Sequence, residues 1–594
     1  MSWTAKAPTL GVALLTAAST HACHPQCKPM APAPMATPAP NAAMVDLHAH
    51  VFGSAAFSGR WHWGSLEGPK EQALKPCDGN PETHAGAGGV LFREIVGEIK
   101  GITSGDTGLH LGKKCGDPSY TGWPRWDTVA HMQYWEGHLH QALDEGLQLM
   151  VVQAVDSLAM CQMVKKSVTK PASTKVYDCD WGDSFKSLQR QIEMAREFDK
   201  SHDWVEIAST PAEARRIVDE GKKTGQKKMV WVLGIEADYA WGNAKEPIDL
   251  EQRFQDYYKL GARAMYLAHH VNTRLAGAAI FFKPIKTLQW MANCFFLDTN
   301  CGGSGHPFQL EPACLHGVAA KDYGEICDAQ YGLWVGKKDG FANYPGGGVD
   351  WVDEDGERVE KNRVGLTAEG RKIVGQMMDK GVLIDVTHLS EKAVADVAAL
   401  ATQHGNYPLF ASHGYFRERV LKSDADVKGI GDAFYNKSHE ATINTATVKL
   451  IADSGGMVGH FLGADPESEY KNSGVENDCY GSTKSLAQGL AWGIDQGLNV
   501  GFATDFMGMA RGLAPRGSGA GQCLKIKAQQ KKQKGTLSPE NDAFNRNGLA
   551  HIGLMGAAVR DLEKVGLKEK YLKHVRDDAV ENFIRMWEKA EKAQ

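Results

Sequence analysis

Val382-Leu-Ile-Asp-Val-Thr-His388 is a short, almost continuously apolar run that closes on a polar pair. It is too short for a helix and rich in branched residues, as a strand buried on both faces must be. A helical pattern, Thr367–Lys380, precedes it and another, Glu391–His404, follows it; each stops at a glycine, Gly381 and Gly405. Working outward, the same unit recurs. Runs of this kind occupy Met44–His48, Leu147–Val155, Met229–Glu236, Ala262–His269, Pro408–His413, Gly456–Phe461 and Asn499–Asp505. Between them lie helical patterns at Thr128–Glu145, Phe185–Lys200, Pro211–Lys223, Leu250–Leu260, Thr445–Asp453 and Ser482–Gln496, with further stops at Gly146, Gly261 and Gly497. Eight buried strands alternating with helices predict an α/β fold, a closed (β/α)8 TIM-like barrel. An open doubly wound sheet is the rival, but no glycine-rich phosphate fingerprint follows the first run.

The chain has 594 residues, 43% hydrophobic and 23% charged, with a formal charge of −5. This composition supplies a large core and excludes global disorder. Near-balanced charge and a pI near 6.5 lack the basic footprint of a nucleic-acid binder. No run of 18 apolar residues occurs, so no segment reads as a membrane-spanning helix. The length would accommodate several domains, but residues 44–594 read as one barrel enlarged by insertions at 51–127, 278–365 and 506–547. All three leave from strand C-termini, the face on which barrel active sites are built. The basic tract Lys525–Lys534 reads as a solvated part of the last one.

Residues 1–23 carry Lys6, an apolar stretch from Leu10 to Ala18 and then small residues up to Cys23, the pattern of a secretory leader. Cys23 is also placed for a lipid tether, although His21 stands where a small residue is usual. Residues 24–43, rich in Pro and Ala, make a semi-extended linker. Export to a periplasmic, secreted or membrane-tethered location is therefore expected, and twelve cysteines agree with it. Four of them, Cys294, Cys301, Cys314 and Cys327, crowd one glycine-rich stretch without a C-x-x-C pair, which favours disulfides over a zinc knot.

The chemistry is read from the polar residues that close the strands. His48 and His50 stand at i and i+2, so both face the barrel mouth and suit a divalent ion. Glu236 ends the third run, His388 the fifth, His413 the sixth and Asp505 the eighth. Ionisable groups at buried strand ends are costly unless something pairs them. The count suggests two divalent metal ions, with zinc or a similar ion favoured by nitrogen and oxygen donors. His48 and His50 would hold one, His388 and His413 the other, and Glu236 would bridge them. Two such ions activate a bridging water as hydroxide. Asp505 would move its proton to the leaving group, or else serve as a further ligand.

Beyond these residues, Arg263-Ala-Met-Tyr-Leu-Ala-His269-His270-Val-Asn272-Thr273 resembles the fourth-strand motif of the membrane (renal) dipeptidase family. Gly365-Leu-Thr-Ala-Glu-Gly370 leading to His388-Leu-Ser390, Phe410-Ala-Ser-His413, Gly501-Phe-Ala-Thr-Asp505-Phe506 and Glu581-Asn-Phe-Ile-Arg-Met-Trp587 are also similar. The resemblance covers most of the chain apart from the leader and the three insertions. It implies a binuclear zinc amidohydrolase that cleaves dipeptides, with Glu236 bridging, His388 and His413 on one metal, His48 on the other and His269 stabilising the oxyanion. It also implies a homodimer. Two departures stand out. The family's first motif is H-x-D, whereas this chain has His48-x-His50, which removes one negative charge. The family's carboxylate-gripping Arg falls near Ala441-Thr442, with Arg417 and Arg419 as the nearby substitutes. The expected activity is hydrolysis of a dipeptide-like amide. The alternatives are another amide, an N-acyl amino acid, a lactone or an ester cleaved by the same machinery, a mononuclear deaminase, and a metal-retaining binding protein without turnover.

Overall fold

The computed structural model describes residues 42–76, 125–127, 129–167, 175–179, 183–242, 248–281, 349–354, 357–362, 364–420, 439–508, 510–516 and 543–593. Among the described residues eleven strands are formed: β1 (Met44–Ala49), β2 (Leu147–Asp156), β3 (Val205–Ile207), β4 (Met229–Ala237), β5 (Ala264–Tyr266), β6 (Val349–Glu354), β7 (Glu357–Asn362), β8 (Leu383–Asp385), β9 (Phe410–Gly414), β10 (Met457–Phe461) and β11 (Asn499–Ala503). Parallel pairing runs β2-β1-β11-β10-β9-β8-β5-β4, and β2 pairs back onto β4 to close the ring. All eight expected runs are barrel strands, and the expected barrel is the observed one.

The differences are local. β3 is a ninth strand of three residues that pairs with the first part of β4, Val205 opposite Met229, while β5 pairs farther along the same edge, Ala264 opposite Gly234. β6 and β7 form a separate antiparallel hairpin inside the second insertion. The helix expected from residue 128 begins only at Glu136, because His131 is drawn into a bridge with Trp63.

The outer helices start and stop where their chemistry dictates. Thr210, Asp249, Thr367, Ser390, Asn444 and Ser482 each cap a helix by accepting a first-turn backbone N–H. The five expected glycine stops all have positive φ, a conformation that costs glycine least. At Gly146 a Cβ would also meet the Ala42 side chain.

The C-terminal helix Ala579–Lys592 packs under the N-terminal ends of the strands. There Val580 N donates to Ala43 O, Trp587 Nε1 to Gly381 O and Lys589 Nζ to Ser454 O. Trp587 is fully buried, and truncating it would remove about 3–5 kcal/mol. One end of the barrel is thus plugged, and the strand C-termini form the other end, the mouth. Cys161 and Cys179 form a disulfide. The leader, the four-cysteine stretch and most of each insertion lie outside the described residues.

Candidate metal centre

Five of the eight barrel strands bring the expected side chains to one point. His48 and His50 reach it from β1, Glu236 from β4, His388 from just beyond β8, His413 from β9 and Asp505 from just beyond β11. Glu236 lies at the centre and divides its oxygens. Oε2 is 3.1 Å from His48 Nε2 and 3.2 Å from His50 Nε2. Oε1 is 3.3 Å from His388 Nε2 and 3.4 Å from His269 Nε2. His413 Nε2 is 3.2 Å from His388 Nε2, and its ring lies 4.0 Å from that of His48. Asp505 Oδ1 is 3.0 Å from His50 Nε2 and 3.6 Å from His48 Nε2.

The surrounding bonds decide what these atoms can do. His50 Nδ1 is 3.1 Å from the Gln153 carbonyl, a pure acceptor, so Nδ1 carries the ring proton. Nε2 of a neutral His50 is then a lone pair facing two carboxylates and the Nε2 of His48. Acceptors facing acceptors in a buried site need a cation between them. Without one, a second proton takes the place: burial disfavours a charged His50, but Asp505 and Glu236 outweigh it and push the ring up to about 10. Burial and the nearby charges of His48 and His388 hold His413 well below the ordinary histidine range, which leaves one ring-nitrogen lone pair available. Burial also lowers His388, with Glu236 opposing. Burial works against a charged Glu236, yet His48, His269 and His388 keep it well below the usual carboxylate range.

Among the described residues, His48 with Glu236 and His413, and His48 with His50 and Asp505, are spaced to hold a metal ion. The donor set is mostly imidazole with two carboxylates and no thiol, which fits zinc or another borderline divalent cation. His48 belongs to both groups, so the two expected ligand pairs interleave, and Asp505 sits at ligand distance on the His48/His50 side.

His269 is next to this centre, as expected. The sequence reading missed Asp238, which lies 3.2 Å from His269 Nδ1 and accepts the His270 N–H at 3.1 Å. Burial opposes charge on Asp238, but His269 and His270 lower it to about 2. Its signal was available, since it stands at i+2 from Glu236 on the same strand edge. Tyr266 and Ser412 were missed as well. Ser412 Oγ lies 2.9 Å from His48 Nδ1 and 2.7 Å from the Tyr266 hydroxyl, which also reaches His413 Nδ1 at 3.2 Å. Such partners orient a ligating ring.

The suggested arginine substitutes do not serve that purpose. Arg417 is buried and spends its guanidinium on the carbonyls of His439, Glu440 and Thr442 and on Glu391 at 2.7 Å. Arg419 lies over the Tyr470 and Trp492 rings instead. The peptide geometry of residues 439–442, where the family's arginine would fall, is what Arg417 fixes.

Comparison with known proteins adds a local similarity. The family model described as Membrane dipeptidase (Peptidase family M19) matches residues 349–427, a stretch that holds His388 and His413. No curated protein matches the chain. Among solved structures, the probable dipeptidase PvdM from Pseudomonas aeruginosa aligns at 14% identity and a TM-score of 0.41, covering 77% of this chain and 89% of that one. A metallo peptidase from Rhodobacter sphaeroides, liganded with a phosphinate mimic of the dipeptide L-Ala-D-Ala, aligns at 13% identity and a TM-score of 0.41, covering 93% and 99%. The similarity over residues 349–427 is thus to membrane dipeptidases.

Proposed function

We propose that this chain is a divergent membrane-dipeptidase-type hydrolase that uses two divalent metal ions to cleave a dipeptide-like amide. The observation that carries the reading is the division of Glu236, with one oxygen facing His48 and His50 and the other facing His388. The family match over residues 349–427 supports it.

His48, His50, Glu236, His388 and His413 would hold the ions, zinc being the best fit. Bound there, they would acidify water and polarise a carbonyl. Asp505 Oδ1 accepts the proton of the attacking water and returns it to the leaving nitrogen. His269 presents Nε2–H to the oxygen that becomes negative; with Nδ1–H directed at Asp238, this needs a ring protonated at both nitrogens. Asp238 facing Nδ1 favours that form, and burial of His269 is outweighed by Glu236 and Asp238, which raise it.

A second reading keeps this machinery for substrates without a free carboxylate, and the engagement of Arg417 favours it. We also read the chain as exported to a periplasmic, secreted or membrane-tethered location, with the Cys161–Cys179 disulfide in support of export.

The test is a hydrolysis panel of L,L- and L,D-dipeptides, N-acyl amino acids and lactones, run with and without chelator beside metal analysis. About two ions per chain and chelator-sensitive dipeptide cleavage are expected. Turnover only of substrates lacking a free carboxylate would select the second reading, and one tightly bound ion would end the binuclear one. Asp505→Asn should lose turnover and keep its metal. Mass analysis of the exported chain for lipid on Cys23 tests the tether.

A further inference from the structure

Two buried carboxylates lie one level below the centre, outside the ligand set. Asp46, on β1, accepts the backbone N–H of His48 at 3.2 Å and that of Thr504 beyond the neighbouring β11 at 3.0 Å, both on Oδ1. Its Oδ2 accepts the Thr504 hydroxyl at 2.6 Å. Asp385, on β8, repeats the pattern: Oδ1 accepts the N–H of Thr387 and that of Ser412 on the neighbouring β9, each at 3.1 Å. Both residues are fully buried. Each ties its own strand two residues on to the strand beside it.

What the two ties share is the residue that comes next. Thr504 precedes Asp505 and Thr387 precedes His388, and these two have φ of +50° and +64°. Side chains alternate along a strand. The Thr504 hydroxyl points inward to Asp46, so simple alternation would turn Asp505 away from the barrel axis. Thr387 stands at i+2 from the inward Asp385, so the same holds for His388. A left-handed residue breaks the alternation and turns each side chain into the mouth, at a cost of about 1–2 kcal/mol for a non-glycine residue. Such a conformation persists only where its surroundings fix it. The carboxylates supply that fixing by holding the backbone N–H of the residue immediately before each left-handed residue.

We propose that Asp46 and Asp385 are positioning residues that hold the left-handed turns bringing Asp505 and His388 into the centre. Asp46 acts on the proton-transferring side chain, and that arm rests on the hydrolase reading. Asp385 acts on a ligand, and that arm stands on metal binding alone.

The experiment compares Asp46→Ala, Asp46→Asn, Asp385→Ala and Asp385→Asn with the parent, each checked for folding by circular dichroism. Asparagine keeps the oxygen that accepts both amides and removes the charge. Zinc affinity, read by competition with a chelating dye, should fall about 10–100-fold for one of the two ions in Asp385→Ala and stay within about threefold in Asp385→Asn. In Asp46→Ala kcat should fall about 100-fold with KM nearly unchanged, and Asp46→Asn should restore it to within about fivefold. Should an alanine variant not fold, serine replaces it, its hydroxyl too short to reach both amides. Alanine or serine variants that keep parental affinity and kcat overturn the proposal. So do asparagine variants that fall as far as alanine, since the carboxylates would then act through charge or proton relay. A parent inert on the whole panel ends the hydrolase reading, and the proposal is then decided by the zinc affinities of the Asp385 pair.

Discussion

The mouth of the barrel and its outer belt of helices solve the problem of polar burial in opposite ways. In the belt, donors meet acceptors. Asp561 receives Arg516 Nε at 2.8 Å, together with the second guanidinium nitrogen and the Thr483 hydroxyl. Asp495 collects the Tyr571 hydroxyl at 2.6 Å, Lys570 Nζ at 2.9 Å and the Tyr470 hydroxyl at 2.9 Å. In the mouth, acceptors meet acceptors. His50 Nε2 confronts Glu236 and Asp505, and the Nε2 atoms of His388 and His413 confront each other. These belt carboxylates are paired within the chain, whereas the mouth gathers acceptors that a cation would complete. Changes in the mouth should therefore alter metal loading and turnover, and changes in the belt should alter stability alone.

The most severe way to break this contrast is Glu236→Gln. The amide keeps the size of Glu236 but removes the negative charge shared by both halves and points an NH2 group at one set of imidazoles. Metal content should fall from about two ions per chain to below one, with turnover reduced by at least about 1,000-fold. Elemental analysis beside the activity assay reads both. A Glu236→Gln protein that retains two ions would show that Glu236 does not bridge.

How much of this was legible in the sequence follows from the same physics. Barrel strands are buried on both faces, so they appear as unbroken apolar runs, and all eight were found. β3 was not, because Val205-Glu206-Ile207 is three residues long with a charge in the middle. The His and Glu ligands were legible because ionisable residues at apolar strand ends are conspicuous. Asp46 and Asp385 sat inside the quoted runs and passed as ordinary polar interruptions. Their meaning depends on which residue of the neighbouring strand they face, and pairing register is not written in one strand alone. Asp238 lay two residues beyond its run and was lost for that reason. The engagement of Arg417 was equally invisible, since its partners at 439–442 lie more than twenty residues away in the chain.

A smaller effect, on stability alone, is expected from Asp561→Ala. Arg516 and Asp561 are both nearly fully buried, and removing the carboxylate leaves a guanidinium without its charge partner. Breaking such a pair costs about 3–5 kcal/mol, a loss that thermal or urea unfolding would register. Metal content and kcat should match the parent at temperatures where the variant is folded. A loss of metal in this variant would mean that belt and mouth are coupled, contrary to the comparison.

The mildest test uses pH on the belt. Burial works against a charged Asp495, but hydrogen bonds from Tyr571, Lys570, Tyr470 and Asn472 outweigh it and lower the group to about 2. An unfolded Asp titrates near 3.9. The folded state therefore holds this group ionised where the unfolded state takes up a proton, so its contribution is present above about pH 4 and disappears as pH falls toward 2. Asp495 is partly open to solvent, which limits the contribution to about 1 kcal/mol. Asp495→Asn should accordingly be less stable than the parent by about that amount at pH 7, with the gap closing between about pH 4 and pH 2. Taking the difference between the two proteins cancels the titration of the mouth, which both share. A gap that stays constant down to pH 2 would mean that the Tyr571 and Tyr470 hydroxyls serve an asparagine as poorly in acid as at neutrality, and that the charge on Asp495 contributes nothing to the belt.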